Sequence, residues 1–247
     1  MRGLAAVYRR ELSALFATPL AWVLLAATLF LNGFLMALVL EEAGGDVAAT
    51  IEVTLGGSWI FWVLLATVPP ILTMGMLAGE YRSGTMEFLL TAPVTDGAVV
   101  TGKFLAATTF MTVLWSSYLI YGLTFAALGT PPDWFPLMGA FIGSVLASAL
   151  FCGIGLLASA AVTHPAPAVL LGFLANVLLL VGPRFLDFAS TRGSMLETVL
   201  ELGDVMGHFH KSFNLGLLDT GPIAFYLTST CLSLFLAARF VESRRWW

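Results

Sequence analysis

The chain has 247 residues, 59% of them hydrophobic and 11% charged, with a formal net charge of −4. Soluble domains carry about 45–50% apolar and about 25% charged residues, so this composition excludes an ordinary soluble enzyme, gives no basis for a nucleic-acid partner, and identifies an all-α integral membrane protein. The two cysteines, Cys152 and Cys231, lie inside apolar runs and make neither a disulfide framework nor a zinc site.

Residues 1–18 set Leu4, Tyr8, Leu12, Leu15 and Phe16 at helical spacing, with Arg9, Arg10 and Glu11 on the other side. That pattern predicts an interfacial helix lying at the membrane surface among the lipids. The first span is 20–40, long enough for a hydrocarbon core that needs about 20 residues. An acidic polar loop, Glu41 to Gly57, follows it. The second span, 58–78, carries Pro69-Pro70 at its centre and should kink there, since proline removes a backbone donor.

The third span covers 104–128 and ends in the turn Gly129-Thr130-Pro131-Pro132-Asp133. The fourth, 137–162, aligns Gly139, Gly143 and Ala147 on one face and Ser144, Ser148 and Cys152 on another. Spacing of four permits close contact, and packing within one subunit is expected over a dimer seam. The fifth, 168–181, follows the turn Thr163-His164-Pro165-Ala166-Pro167, is short, and is closed by Gly182-Pro183. A polar segment, 182–220, contains the helical-looking run Met195 to Leu202 and then His208-Phe209-His210-Lys211. The sixth span, 221–238, leads to a basic tail ending in Trp246-Trp247.

Between the second and third spans lies the segment 79–103, GEYRSGTMEFLLTAPVTDGAVVTGK. Glu80, Arg82, Ser83 and Glu87 are polar, Phe88, Leu89 and Leu90 apolar, and Pro93 interrupts any helix. Thr95 and Asp96 can cap the helix that follows. A short surface helix of this kind leaves one face free for a partner, although such a segment can also be a plain solvated connection. Lysine and arginine beside the spans divide eight (Arg2, Arg9, Arg10, Arg82, Lys103, Arg239, Arg244, Arg245) against three (Arg184, Arg192, Lys211). The positive-inside rule therefore places both termini and the 79–103 segment in the cytoplasm.

Catalytic patterns are few. Gly97 to Lys103 fits G-x-x-x-x-G-K, but Phe104 stands where a phosphate loop requires Ser or Thr, and no strand precedes it. No Asp, Glu, Lys, Arg or His falls inside the six spans, whereas ion-coupled pumps place such residues along their pathways. Sodium coupling through backbone carbonyls at a broken helix stays open at Pro69-Pro70, but the lack of charge points to an energy source outside the chain. Asn32, Tyr118 and Asn176 could line a polar pathway, and interhelical hydrogen bonding is their commoner use. His208 and His210 would share a face on a strand and diverge on a helix, and no third ligand stands at metal-site spacing.

Several stretches together resemble a known family: Tyr8-Arg9-Arg10-Glu11-Leu12 with Thr18-Pro19-Leu20-Ala21, the run from Glu80 to Val94, Gly207 to Phe213 with Leu218-Asp219, and the Glu242-Ser243-Arg244-Arg245-Trp246 tail. The pattern is similar to the permease subunits of type-2 ABC exporters. Within them it resembles the branch that includes the gliding-motility permease and the permease of nitrous-oxide reductase maturation. The resemblance implies a six-span permease with no cofactor of its own, paired with a second copy or paralogue in the inner membrane. It also implies separate cytoplasmic ATPase subunits that hold ATP and Mg. Glu80, Arg82, Gly84, Thr85, Glu87, Leu89 and Leu90 would form the coupling helix seated on the ATPase. The result would be export of cargo, or force transmitted to an extracytoplasmic partner protein. Read from the residues alone, an ATP-independent channel and a membrane scaffold stay open as alternatives.

Overall fold

The computed structural model describes residues 2–84, 95–188 and 203–244, with side chains described for 3–84, 95–184 and 203–244. Every regular element among them is helical. In hydrocarbon, backbone groups can be paired only inside helices or a closed barrel, and a chain this apolar takes the first route.

The first helix, α1 (Arg2–Ala17), stops at Thr18, and Pro19 opens α2 (Pro19–Glu42), a position where its missing N–H costs nothing. The short α3 (Val47–Glu52) and a π turn (Val53–Gly57) lead into α4 (Trp59–Thr73). After four intervening residues comes α5 (Ala78–Ser83). The long helices α6 (Asp96–Ala127), α7 (Trp134–Ala161) and α8 (Pro165–Phe188) follow. The short α9 (Val205–Lys211) and a 3-10 turn (Phe213–Leu215) precede α10 (Thr220–Arg244). Six stretches are long and apolar enough to cross a membrane: α2, the pair α4–α5, α6, α7, α8 through Arg184, and α10.

The central helix is α7, which packs against α4, α6, α8 and α10. Its glycines explain how so many neighbours fit. A Cβ on Gly153 would meet Ser233 of α10 at 3.3 Å, and one on Gly155 would collide with Thr73 Oγ1 and lie 3.3 Å from Pro70 Cα. On the stripe expected to meet a helix, Gly139 and Gly143 instead receive the turn after α9. A Cβ on Gly139 would stand 2.5 Å from the Phe213 carbonyl oxygen, and one on Gly143 would stand 2.8 Å from Phe209. The chain itself therefore covers that face.

Two expectations change. The 41–57 segment is no solvated loop, because Val47, Ile51 and Leu55 share a buried face and fold it back onto the bundle end. There Gly56, at φ +98°, abuts the Phe209 ring, and the Trp62 indole donates to its carbonyl at 2.7 Å. Second, α8 starts at Pro165 and runs on through Gly182-Pro183. Prolines in a first turn remove donors that have no helical acceptor anyway, and a chain in apolar surroundings stays helical past an interior one. The cap expected at Thr95 and Asp96 is present: α6 begins at Asp96, the Thr95 hydroxyl accepts from the Ala98 N–H at 3.4 Å, and Lys103 stands inside this helix.

Candidate functional site

The site is built around α5, the first part of the long polar segment, at the end of the bundle that carries both termini. The preceding helix passes through Pro69 and Pro70 without stopping. Pro70 has no N–H for the Ala66 carbonyl, and the Asn176 amide of α8 donates to that carbonyl at 3.2 Å instead. The ladder fails only later, between Met74 and Leu77, around Gly75, a residue poorly suited to helix interiors. One buried side chain bridges this break. Ser159 Oγ of α7 accepts from the Leu77 and Ala78 N–H groups at 3.2 and 3.0 Å and donates to the Met74 carbonyl at 3.0 Å.

One turn further, Glu80 enters a four-residue ion network. Lys103 Nζ lies 2.9 Å from both Glu11 Oε1 and Glu80 Oε1, and Arg10 reaches the same two oxygens at 2.6 and 2.8 Å. The Lys103 side chain is 1% exposed and that of Glu80 17%, so this is not a surface pairing. Two cations and two anions cancel. Each is expensive to bury alone and tolerable together, so losing one member strands the others. The Glu11 hydrogen bond, reinforced by the charges of Glu11 and Glu80, holds the Arg10 guanidinium above its ordinary value against the lowering effect of its partial burial.

The network exists because α1 lies along the first half of α6. A Cβ on Gly102 would sit 2.9 Å from Val7 Cγ1 and 3.3 Å from the Leu4 carbonyl oxygen. The Tyr8 hydroxyl pairs with that of Thr109 at 3.2 Å, and Phe16 packs on Phe110 with centroids 5.3 Å apart. Val7 is buried, and Glu11, four residues on, shares its face. Glu11 therefore turns inward, opposite to the side on which the sequence pattern grouped it with Arg9 and Arg10.

The other flank of α5 is held by Tyr81. The Arg244 guanidinium near the end of α10 lies over the Tyr81 ring at 4.7 Å and also donates to the carbonyl of Ala161, the last residue of α7, at 2.6 Å. Arg82 is exposed, and Gly84 ends α5 in the left-handed conformation at φ +72°. Of the residues assigned to the coupling helix, Glu80 faces inward while Arg82 and Gly84 face out. Thr85, Glu87, Leu89 and Leu90 lie outside the described residues, as does the run 195–202.

Of Asn32, Tyr118 and Asn176, the residues that could line a pathway, the last two make separate contacts. All three are fully buried. Asn176 serves the Ala66 carbonyl, and the Tyr118 hydroxyl donates to the Thr54 carbonyl at 3.4 Å in the folded-back 41–57 segment. Asn32 finds no partner for its amide among the described residues. His208 and His210 lie on helix α9 and diverge, His208 stacking on Phe225 and His210 on Trp62. Gly97 to Lys103 is helical throughout, and its lysine is engaged by Glu11 and Glu80.

Sequence reasoning missed Glu11, Lys103, Ser159 and Arg244 as members of the site. For Glu11 a signal existed, since Leu4, Val7 and Glu11 recur at helical spacing. None existed for Ser159, one serine among several in an apolar span. Taken together these contacts tie α5 to α1, α6, α7 and α10. The charges of Glu11, Glu80 and Lys103 are engaged with one another and with Arg10.

A family model described as ABC-2 family transporter protein matches residues 6–198 of the chain. No curated protein matches it.

Proposed function

The chain belongs to the ABC-2 transporter family, and from that premise we propose that this membrane subunit couples ATP hydrolysis in separate cytoplasmic ATPase subunits to movement of the spans. The family component is a membrane transport part and is not itself catalytic. The reading rests chiefly on one observation: α5, at the head of the 79–103 segment, is bonded to α1 and α6 through Glu80, to α10 through Tyr81, and to α7 through its backbone. A load applied there reaches four helices. Arg82 is exposed and offers the docking side, Glu87, Leu89 and Leu90 follow it in the sequence, and Glu80 is the internal anchor.

The excess of lysine and arginine at the end carrying the termini supports a cytoplasmic position for this site, in the inner membrane of a bacterium. A second permease copy or paralogue completes the transporter, which exports cargo or transmits force to an extracytoplasmic partner. The motifs from Glu80 to Val94 and Gly207 to Phe213 favour the gliding-motility and nitrous-oxide-reductase-maturation branch. The test is copurification in mild detergent followed by an ATPase assay. A nucleotide-binding subunit should copurify, and Arg82→Ala/Glu87→Ala should abolish permease-coupled ATPase activity while insertion is retained. Unchanged coupled activity would remove the docking role. Conductance in vesicles without any ATPase would favour a passive channel.

A further inference from the structure

A buried helix start needs acceptors for its first N–H groups, and α5 has no capping side chain of its own, since Leu77 occupies its N-cap. In an unbroken helix the N–H groups of Leu77 and Ala78 would bond to the carbonyls of Thr73 and Met74. Here both go to Ser159 Oγ, and the Met74 carbonyl accepts the Ser159 hydroxyl proton. A serine hydroxyl has one donor and two acceptor sites, and all three are engaged. Ser159 is fully buried, as are Leu77 and Ala78, so water offers no substitute at this point. The residues in between include Gly75, around which a side chain would find open space.

We infer that Ser159 is a positioning residue that fastens the start of α5 to α7 and takes the carbonyl at the end of α4 with the same hydroxyl. Residues 74–77 are then a hinge, and α5 moves with α7 while α4 turns against it. The contact of Arg244 with both Tyr81 and the Ala161 carbonyl reinforces the same attachment at the other side of α5. The inference rests on the reading that load enters at the segment headed by α5, and it names which span receives that load first.

The test uses spin-label distances in the Cys231→Ser protein, Cys152 being buried. One label pair joins Gly79→Cys to Thr163→Cys, across α5 and the end of α7. The other joins Gly79→Cys to Val63→Cys, across the hinge to α4. A side chain at 79 meets open space, and Thr163 and Val63 are exposed. In the isolated permease, Ser159→Ala should at least double the width of the 79–163 distribution, and Ser159→Thr, which keeps the hydroxyl, should hold it narrow. An unchanged width in a Ser159→Ala protein of native helix content would overturn the assignment. In the complex with its ATPase, trapping with ATP and vanadate should shift the 79–63 distance by several ångström and leave 79–163 fixed. A shift in 79–163 with 79–63 fixed, or no shift in either, would overturn the hinge. Failure of an ATPase to copurify would count against the docking reading, while the width comparison would still decide the role of Ser159.

Discussion

The Asn176 amide donates to the Ala66 carbonyl, the one that Pro70 leaves without its helical donor. A residue on the fifth span thus makes a double proline tolerable in the second. Asn176→Leu should destabilise the protein by about 1 kcal/mol, in line with polar contacts between spans. In a Pro70→Ala background, where residue 70 regains an N–H, the same change should cost less, with a coupling of about 0.5 kcal/mol or more. A double-mutant cycle of unfolding in detergent checks this, and additive costs would break the link between the two residues.

Lys103 sits where two carboxylates meet. Lys103→Met should lower stability by a few kcal/mol, because Glu11 and Glu80 would then face each other with only the half-exposed Arg10 to balance them. Lys103→Met/Glu80→Gln should recover part of that loss by removing one stranded charge. Thermal unfolding of the three proteins checks the order, and a double variant no better than the single would show that the lysine acts by packing alone.

Two glycine-to-alanine changes should differ in sign. At Gly139 the new methyl would press on the Phe213 carbonyl oxygen at 2.5 Å and on Gly216 Cα at 2.9 Å, both backbone atoms. A loss of about 1–3 kcal/mol is expected, with the turn after α9 becoming open to protease. At Gly97 nothing lies within 4 Å, and alanine should gain up to about 1 kcal/mol of helix propensity. Unfolding and limited proteolysis of both variants check the contrast.

The orientation can be read directly. In the Cys231→Ser protein, Thr130→Cys should react with an impermeant maleimide from outside intact cells, and Thr163→Cys only after the inner face is opened. The reverse pattern would invert the assignment of the coupling end.

Most of the architecture was legible in the sequence. Apolar runs of span length, the turn at 129–133 and the excess of cations at one end carry that information locally, because a lipid solvent acts on each span separately. Glu80 and Arg82 could be singled out in the same way, as polar residues in a short interruption.

Where each of those residues points was decided only in three dimensions. Glu80 and Arg82 stand two apart on α5, yet one is held by Lys103 and Arg10 and the other is exposed. Gly102 lets α1 approach α6 closely enough to bring Glu11 to Lys103, a contact between residues 92 apart. Ser159 reaches the break after α4 from 82 residues away. Local pattern decides which residues enter the membrane. It cannot decide which serine meets a broken ladder or which cation meets two carboxylates, because those pairings depend on how whole helices lie against one another.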